Sequence, residues 1–95
     1  MLVNITEVKI TSKYVSIKAQ NLEAALLTDD LFSEEEAPSV IFRFPRDEEN
    51  PGPMKYLYKV VTSQKRCETA KSMGEKLERL NGAVITLADG FIVKQ

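Results

Sequence analysis

The sequence predicts an α+β domain in which antiparallel hairpins alternate with helices, in the order ββ-α-ββ-α-ββ, with the helices packed on a mainly antiparallel sheet. Three observations predict it. Val15, Ile17 and Ala19 alternate with Tyr14, Ser16 and Lys18, the period of a half-buried strand. Cys67, Ala70, Met73, Leu77 and Leu80 recur at spacings of three and four, the period of an amphipathic helix. Asp89-Gly90 separates two apolar runs and is a signal for a two-residue type I′ turn. The chain has 95 residues, room for one such domain over residues 1–95.

The first hairpin pairs Leu2–Ile10 with Tyr14–Ala19. If Thr11-Ser12-Lys13-Tyr14 makes the loop, Ile10 faces Val15 and Val8 faces Ile17, so all four share one face. Glu7 then falls opposite Lys18 on the other face. Apolar phase and charge pairing select the same register. A short helix follows. Asn21 is a suitable N-cap, Glu23 suits the first turn, and Leu22, Ala25 and Leu26 begin an apolar stripe. Residues 28–38 read as an acidic loop. Its Ser33-x-x-Glu36 match to a capping box is accidental, because Pro38 leaves little helix to cap.

A second hairpin is expected from Ser39–Phe44 and Met54–Val61, joined by a long proline-rich loop over 45–53. The main helix should start at Ser63 as N-cap and end at Asn81-Gly82 through a left-handed residue. Glu75 and Arg79 make an i,i+4 pair in the favourable order. The closing hairpin, 83–88 with 91–94, is apolar on both faces. Such a hairpin is central in a sheet, covered on both sides, or at the interface of a homo-oligomer.

Composition excludes several function classes. There is no histidine, so Ser-His-Asp and Cys-His catalysis cannot arise within one chain. The single cysteine, Cys67, cannot form an intrachain disulfide or a zinc cluster, and it reads as a buried core thiol. The acidic runs lack the spacing of a calcium loop. No cofactor and no metal are expected. The N-terminus alternates polar and apolar residues, unlike a signal peptide, and no apolar run approaches the roughly 18 residues of a membrane span. A cytoplasmic setting is expected. Net charge is −1 but uneven, −5 over residues 1–53 and +4 over residues 54–95. That is either a surface that steers partners or simply acidic loops early and a basic helix late.

Two candidate sites emerge. One is the start of the main helix, where Thr62, Ser63, Lys65 and Arg66 would combine hydroxyls, cations and free N–H groups around an anion such as phosphate. Two bases in a first turn oppose the helix dipole, and a bound anion would resolve that conflict. The other is the middle hairpin, where Arg43, Arg46, Lys55, Tyr56 and Lys59 interleave cations with aromatics as single-strand binders do. The same alternation also describes Phe42, Phe44, Tyr56 and Tyr58 as ordinary core residues with the bases outward. The reading favoured by the sequence is a small non-catalytic regulatory or adaptor protein, with the motif-free character of small modulators such as those that phages encode. It would bind another macromolecule, a protein in preference to nucleic acid, with no membrane partner. The alternative is a nucleic-acid or nucleotide binder that uses the two candidate sites.

Overall fold

The computed structural model describes residues 1–27 and 38–93. The expected acidic loop and its Ser33-x-x-Glu36 motif lie outside the described residues, as does the end of the last expected strand. Within the described residues the chain runs β1 (Leu2–Ile10), β2 (Tyr14–Asn21), α1 (Leu22–Leu27), β3 (Ser39–Pro45), α2 (Gly52–Ser63), α3 (Met73–Glu78) and β4 (Val84–Thr86). Two 3₁₀ turns, Lys65–Cys67 and Asp89–Phe91, interrupt the second half. The α+β class holds, but the order of elements differs from expectation in the C-terminal half. The four strands form one sheet in the order β3-β2-β1-β4, with every pairing antiparallel.

The first hairpin has the expected register. Glu7 pairs with Lys18, Val8 with Ile17 and Ile10 with Val15. The register shifts between Ile5 and Glu7, so Thr6 is an extra residue in a β-bulge. Its hydroxyl donates to the Lys18 carbonyl oxygen at 3.1 Å. Thr11 locks the hairpin tip. Its hydroxyl accepts from the backbone N–H groups of Lys13 and Tyr14 at 3.3 and 3.1 Å and donates to the Tyr14 carbonyl at 3.0 Å. Asn21 caps α1 as expected, its Oδ1 accepting from the N–H groups of Glu23 and Ala24 at 3.0 and 3.2 Å.

The expected strand at 54–61 is instead the 12-residue helix α2. Pro53 suits the first turn, where its missing N–H leaves no bond unmade. Met54, Leu57 and Val61 are buried at spacings of three and four, so the period that counts here is helical. The expected long helix from Ser63 to Leu80 is broken. Ser63 ends α2 rather than beginning a helix, and α3 covers only Met73–Glu78. The intervening residues 64–72 carry one buried apolar side chain, Cys67, too little to hold a helix against the core. Ser72 caps α3 by accepting from the Glu75 N–H at 3.2 Å, while Glu75 accepts from the Lys71 N–H at 3.0 Å. Gly82 takes the expected left-handed conformation, at φ +81°, but it does not cap the helix: α3 ends at Glu78 with Arg79 as a right-handed C-cap, and Gly82 lies in the turn beyond. The Glu75–Arg79 pair also forms, at 3.2 Å.

The closing hairpin is replaced by a crossing. β4 pairs with the start of β1, and Asp89-Gly90 lies in a 3₁₀ turn in which Gly90 does not take a positive φ. The chain then reaches the opposite edge of the sheet. Ile92 bridges to Phe42, and the Val93 N–H donates to the Ile41 carbonyl at 2.8 Å. Ile85 and Leu87 are buried, while Phe91 and Ile92 pack against the core. The apolar character of both faces is therefore consumed inside the chain. Among the described residues of this segment Val84, at 57 %, is the one large apolar residue that is exposed. That removes the argument for a homo-oligomer built on a two-faced hairpin.

The core lies between one face of the sheet and α2. Val3, Ile5, Val15, Ile17, Ala19, Phe42 and Phe44 project from the sheet and meet Met54, Leu57 and Val61. Each fully buried aliphatic side chain contributes about 1.5–3 kcal/mol by leaving water. Cys67 is buried, as expected, and its thiol donates to the Lys76 carbonyl at 3.3 Å.

Candidate functional site

The residues expected to form an anion site do not face a helix N-terminus. Thr62 and Ser63 sit in the last turn of α2, and their hydroxyls are turned back onto it. Thr62 donates to the carbonyls of Tyr58 and Lys59 at 2.9 and 3.1 Å, and Ser63 to that of Val60 at 2.6 Å. Lys65 and Arg66 follow in an exposed 3₁₀ turn. They therefore stand near the negative end of the α2 dipole, where cations are favoured. The conflict that called for an anion does not exist, because it came from placing a helix start where one ends.

The middle basic and aromatic set is also separated. Tyr56 is half-buried, with its ring 5.0 Å from Phe91 and 6.3 Å from Phe44 between centroids. Its hydroxyl oxygen accepts from the Ala88 N–H at 2.8 Å. Tyr56 thus packs against the core and ties the crossing segment to α2. Lys55 and Lys59 are exposed on α2, one turn apart. Arg43 is on the opposite side of the sheet, its guanidinium 4.4 Å over the Tyr14 ring.

Arg46 does reach a cleft. Its N–H donates to the Lys13 carbonyl at 2.8 Å and its Nη1 to the Thr11 carbonyl at 2.9 Å, so the segment after β3 is strapped to the tip of the first hairpin. Beneath this strap is a cavity of about 420 Å³, lined by Ser12, Arg46, Asp47, Glu48, Pro51, Met54 and Tyr58. It shares Arg46, Met54 and Tyr58 with a smaller apolar pocket of about 90 Å³ that adds Ile10, Val15, Met73, Gly74 and Leu77. The two make one cleft with a polar mouth and an apolar floor. The floor comes from the first two turns of α2 and of α3 and from the inward face of the hairpin tip. Asp47 Oδ1 accepts from the Glu49 N–H at 2.9 Å, so one carboxylate at the mouth is engaged in a turn while Glu48 is exposed.

Sequence reasoning placed Arg46 in a binding site but missed Ser12, Met54, Tyr58 and Met73. The signal was present. Met54, Leu57, Tyr58 and Val61 fall at i, i+3, i+4 and i+7, which puts Met54 and Tyr58 on one helix face a turn apart. The chemistry of the lining is two thioethers, a phenol, a guanidinium and two adjacent carboxylates, one of them hydrogen-bonded. Among the described residues no group of three or more metal-ligating side chains forms. Comparison with known proteins finds no matching family model, no matching curated protein and no matching solved structure.

Proposed function

We propose that this chain is a non-catalytic adaptor that binds a segment of a protein partner in the cleft at the hairpin tip. The observation that carries the reading is the form of that cleft. Its inner pocket, about 90 Å³, has room for one aliphatic side chain, and methionines on two different helices line it. Methionine thioethers adapt to the shape of an inserted side chain, which suits peptide recognition. Ile10, 40 % exposed, extends the apolar floor to the surface. At the mouth, Asp47 and Glu48 outnumber Arg46, whose Nη1 is occupied by the Thr11 carbonyl. The complementary segment is an aliphatic anchor followed by a basic residue.

Selection of peptides on the immobilised protein tests this. The expected outcome is a shared pattern of one aliphatic residue beside Lys or Arg. Met73→Lys should abolish binding by filling the pocket with a charge, and Glu48→Lys should weaken it about tenfold, the equivalent of roughly 1.4 kcal/mol. Selected peptides that ignore both substitutions would place the binding surface elsewhere.

A further inference from the structure

We propose that the face of the sheet opposite α2 binds single-stranded nucleic acid. The alternation of the strands sends one set of side chains into the core and the other to this second face. Register then sets which of them meet. Lys9 pairs with Ser16 and Ser16 pairs with Arg43, so these three form one row across β1, β2 and β3. Glu7, Lys18 and Ile41 form the next row. A shallow concavity of about 170 Å³ lies among them, lined by Glu7, Lys9, Ser16, Lys18 and Ile41.

Two features distinguish this face from an ordinary solvated one. The first is charge. Lys9, Lys18 and Arg43 are all exposed, with Glu7 the one carboxylate in the two rows. Among the described residues the ion pairs are those of Met1 with Asp89 and of Glu75 with Arg79, so none of these cations has a carboxylate within 4.0 Å. A locally positive face on a chain of net charge −1 suits a polyanion. The second feature is the seat of the Arg43 guanidinium over the Tyr14 ring. The guanidinium carbon lies 4.4 Å from the ring centroid, and Arg43 remains exposed. Bases stack on guanidinium planes as well as on aromatic rings. The carboxylates of an acidic peptide would satisfy the cations but leave that platform unused, whereas every nucleotide brings a phosphate and a flat base together. The occupant is therefore a single strand, with phosphates at Lys9 and Lys18 and one base on Arg43. Ser16, between the cations, is a hydrogen-bonding group for a phosphate or a base edge.

The test is fluorescence anisotropy of a short labelled oligouridylate and oligothymidylate with the full chain, across a range of salt. With two phosphates neutralised, at Lys9 and Lys18, the expected slope of log affinity against log salt is about −1.4, from roughly −0.7 per phosphate for single strands. The double variant Lys9→Gln/Lys18→Gln should weaken binding at least tenfold and flatten the slope. Tyr14→Ser, which removes the support of Arg43, should weaken binding and leave the slope unchanged. Met73→Lys, which blocks the cleft, should leave it intact, so this proposal and the adaptor reading fail separately. Absence of binding at the lowest salt overturns the proposal. So does an equal loss from Lys55→Gln/Lys59→Gln on α2, which would mean unspecific attraction. Competition by polyglutamate as strong as that by unlabelled oligonucleotide overturns it too, in favour of an acidic protein ligand.

Discussion

Gly82 and Gly90 offer a clean test of where the backbone needs glycine. Gly82 has φ +81°, and a Cβ placed on it would meet nothing within 4 Å. Its N–H donates to the Ile5 carbonyl at 2.8 Å, which fixes the exit from α3 against β1. Gly82→Ala therefore adds backbone strain without a steric clash. For an L-residue held in the left-handed region that strain is about 1–2 kcal/mol. In a domain of this size each kcal/mol moves Tm by roughly 4–8 °C, so a drop of about 5–15 °C is expected. Gly82→Asn should recover part of it, since asparagine tolerates this conformation better. Gly90 has no positive φ and also has open space around it. Gly90→Ala should change stability by no more than about 0.5 kcal/mol, or raise it slightly by restricting the unfolded chain. Urea unfolding followed by far-ultraviolet circular dichroism measures both. A Gly90→Ala loss equal to that of Gly82→Ala would reject the 3₁₀ turn and restore a type I′ hairpin at Asp89-Gly90.

Tyr56→Phe keeps the ring contacts but removes the acceptor of the Ala88 N–H, and should cost about 1 kcal/mol in urea titration. A neutral result would mean that this N–H finds another partner. Ser72→Ala removes the cap of α3 and should cost about 1 kcal/mol, with Ser72→Asp restoring most of it. Deleting Thr6 should leave a folded protein, because Ile5-Glu7-Val8 then pairs with Ala19-Lys18-Ile17 as a regular ladder. Deleting Ser16 from the central strand should abolish folding, and two-dimensional NMR spectra of both deletions would decide the matter.

The N-terminal half was legible because independent signals agreed. The register of the first hairpin followed from both apolar phase and the Glu7–Lys18 pairing, and Asn21 carried its own capping chemistry. The second half was misread where a single period was trusted. Tyr56 and Tyr58 alternate as in a strand, yet Met54, Leu57 and Val61 also recur at helical spacing, and burial follows the helix. The mistake then propagated. With 54–61 read as strand, Ser63 became a helix start, and Lys65 and Arg66 looked frustrated by a dipole they in fact complement. The Ser72-x-x-Glu75 pattern marks the start of α3 inside what the apolar period alone reads as one longer helix. The crossing of 87–93 had no local signal. Asp89-Gly90 favours a hairpin on its own, and only the long-range contacts of Phe91 with Phe44 and Tyr56 override it. Of the candidate residues, Arg46 lines the cleft and Arg43 sits over Tyr14 on the opposite face of the sheet, because both follow directly from the correctly placed strand β3.

The bulge at Thr6 connects the two surfaces. In β1 the inward residues are Val3 and Ile5 on one parity, then Val8 and Ile10 on the other. A regular strand of this sequence cannot turn all four toward the core, since its side chains alternate with a period of two. One residue must be looped out between Ile5 and Val8. Thr6 takes that position, with its hydroxyl bonded to the Lys18 carbonyl. Beyond the bulge Ile10 turns inward to the apolar floor of the cleft, and Lys9 turns outward to the row it shares with Ser16 and Arg43. With regular pairing carried on from Ile5 to Ala19 and Thr6 retained, the two would exchange faces. A lysine would enter the cleft and an isoleucine would interrupt the basic row. Bulges re-aim the side chains that follow them. Here one inserted residue assigns an apolar group to one proposed surface and a cation to the other.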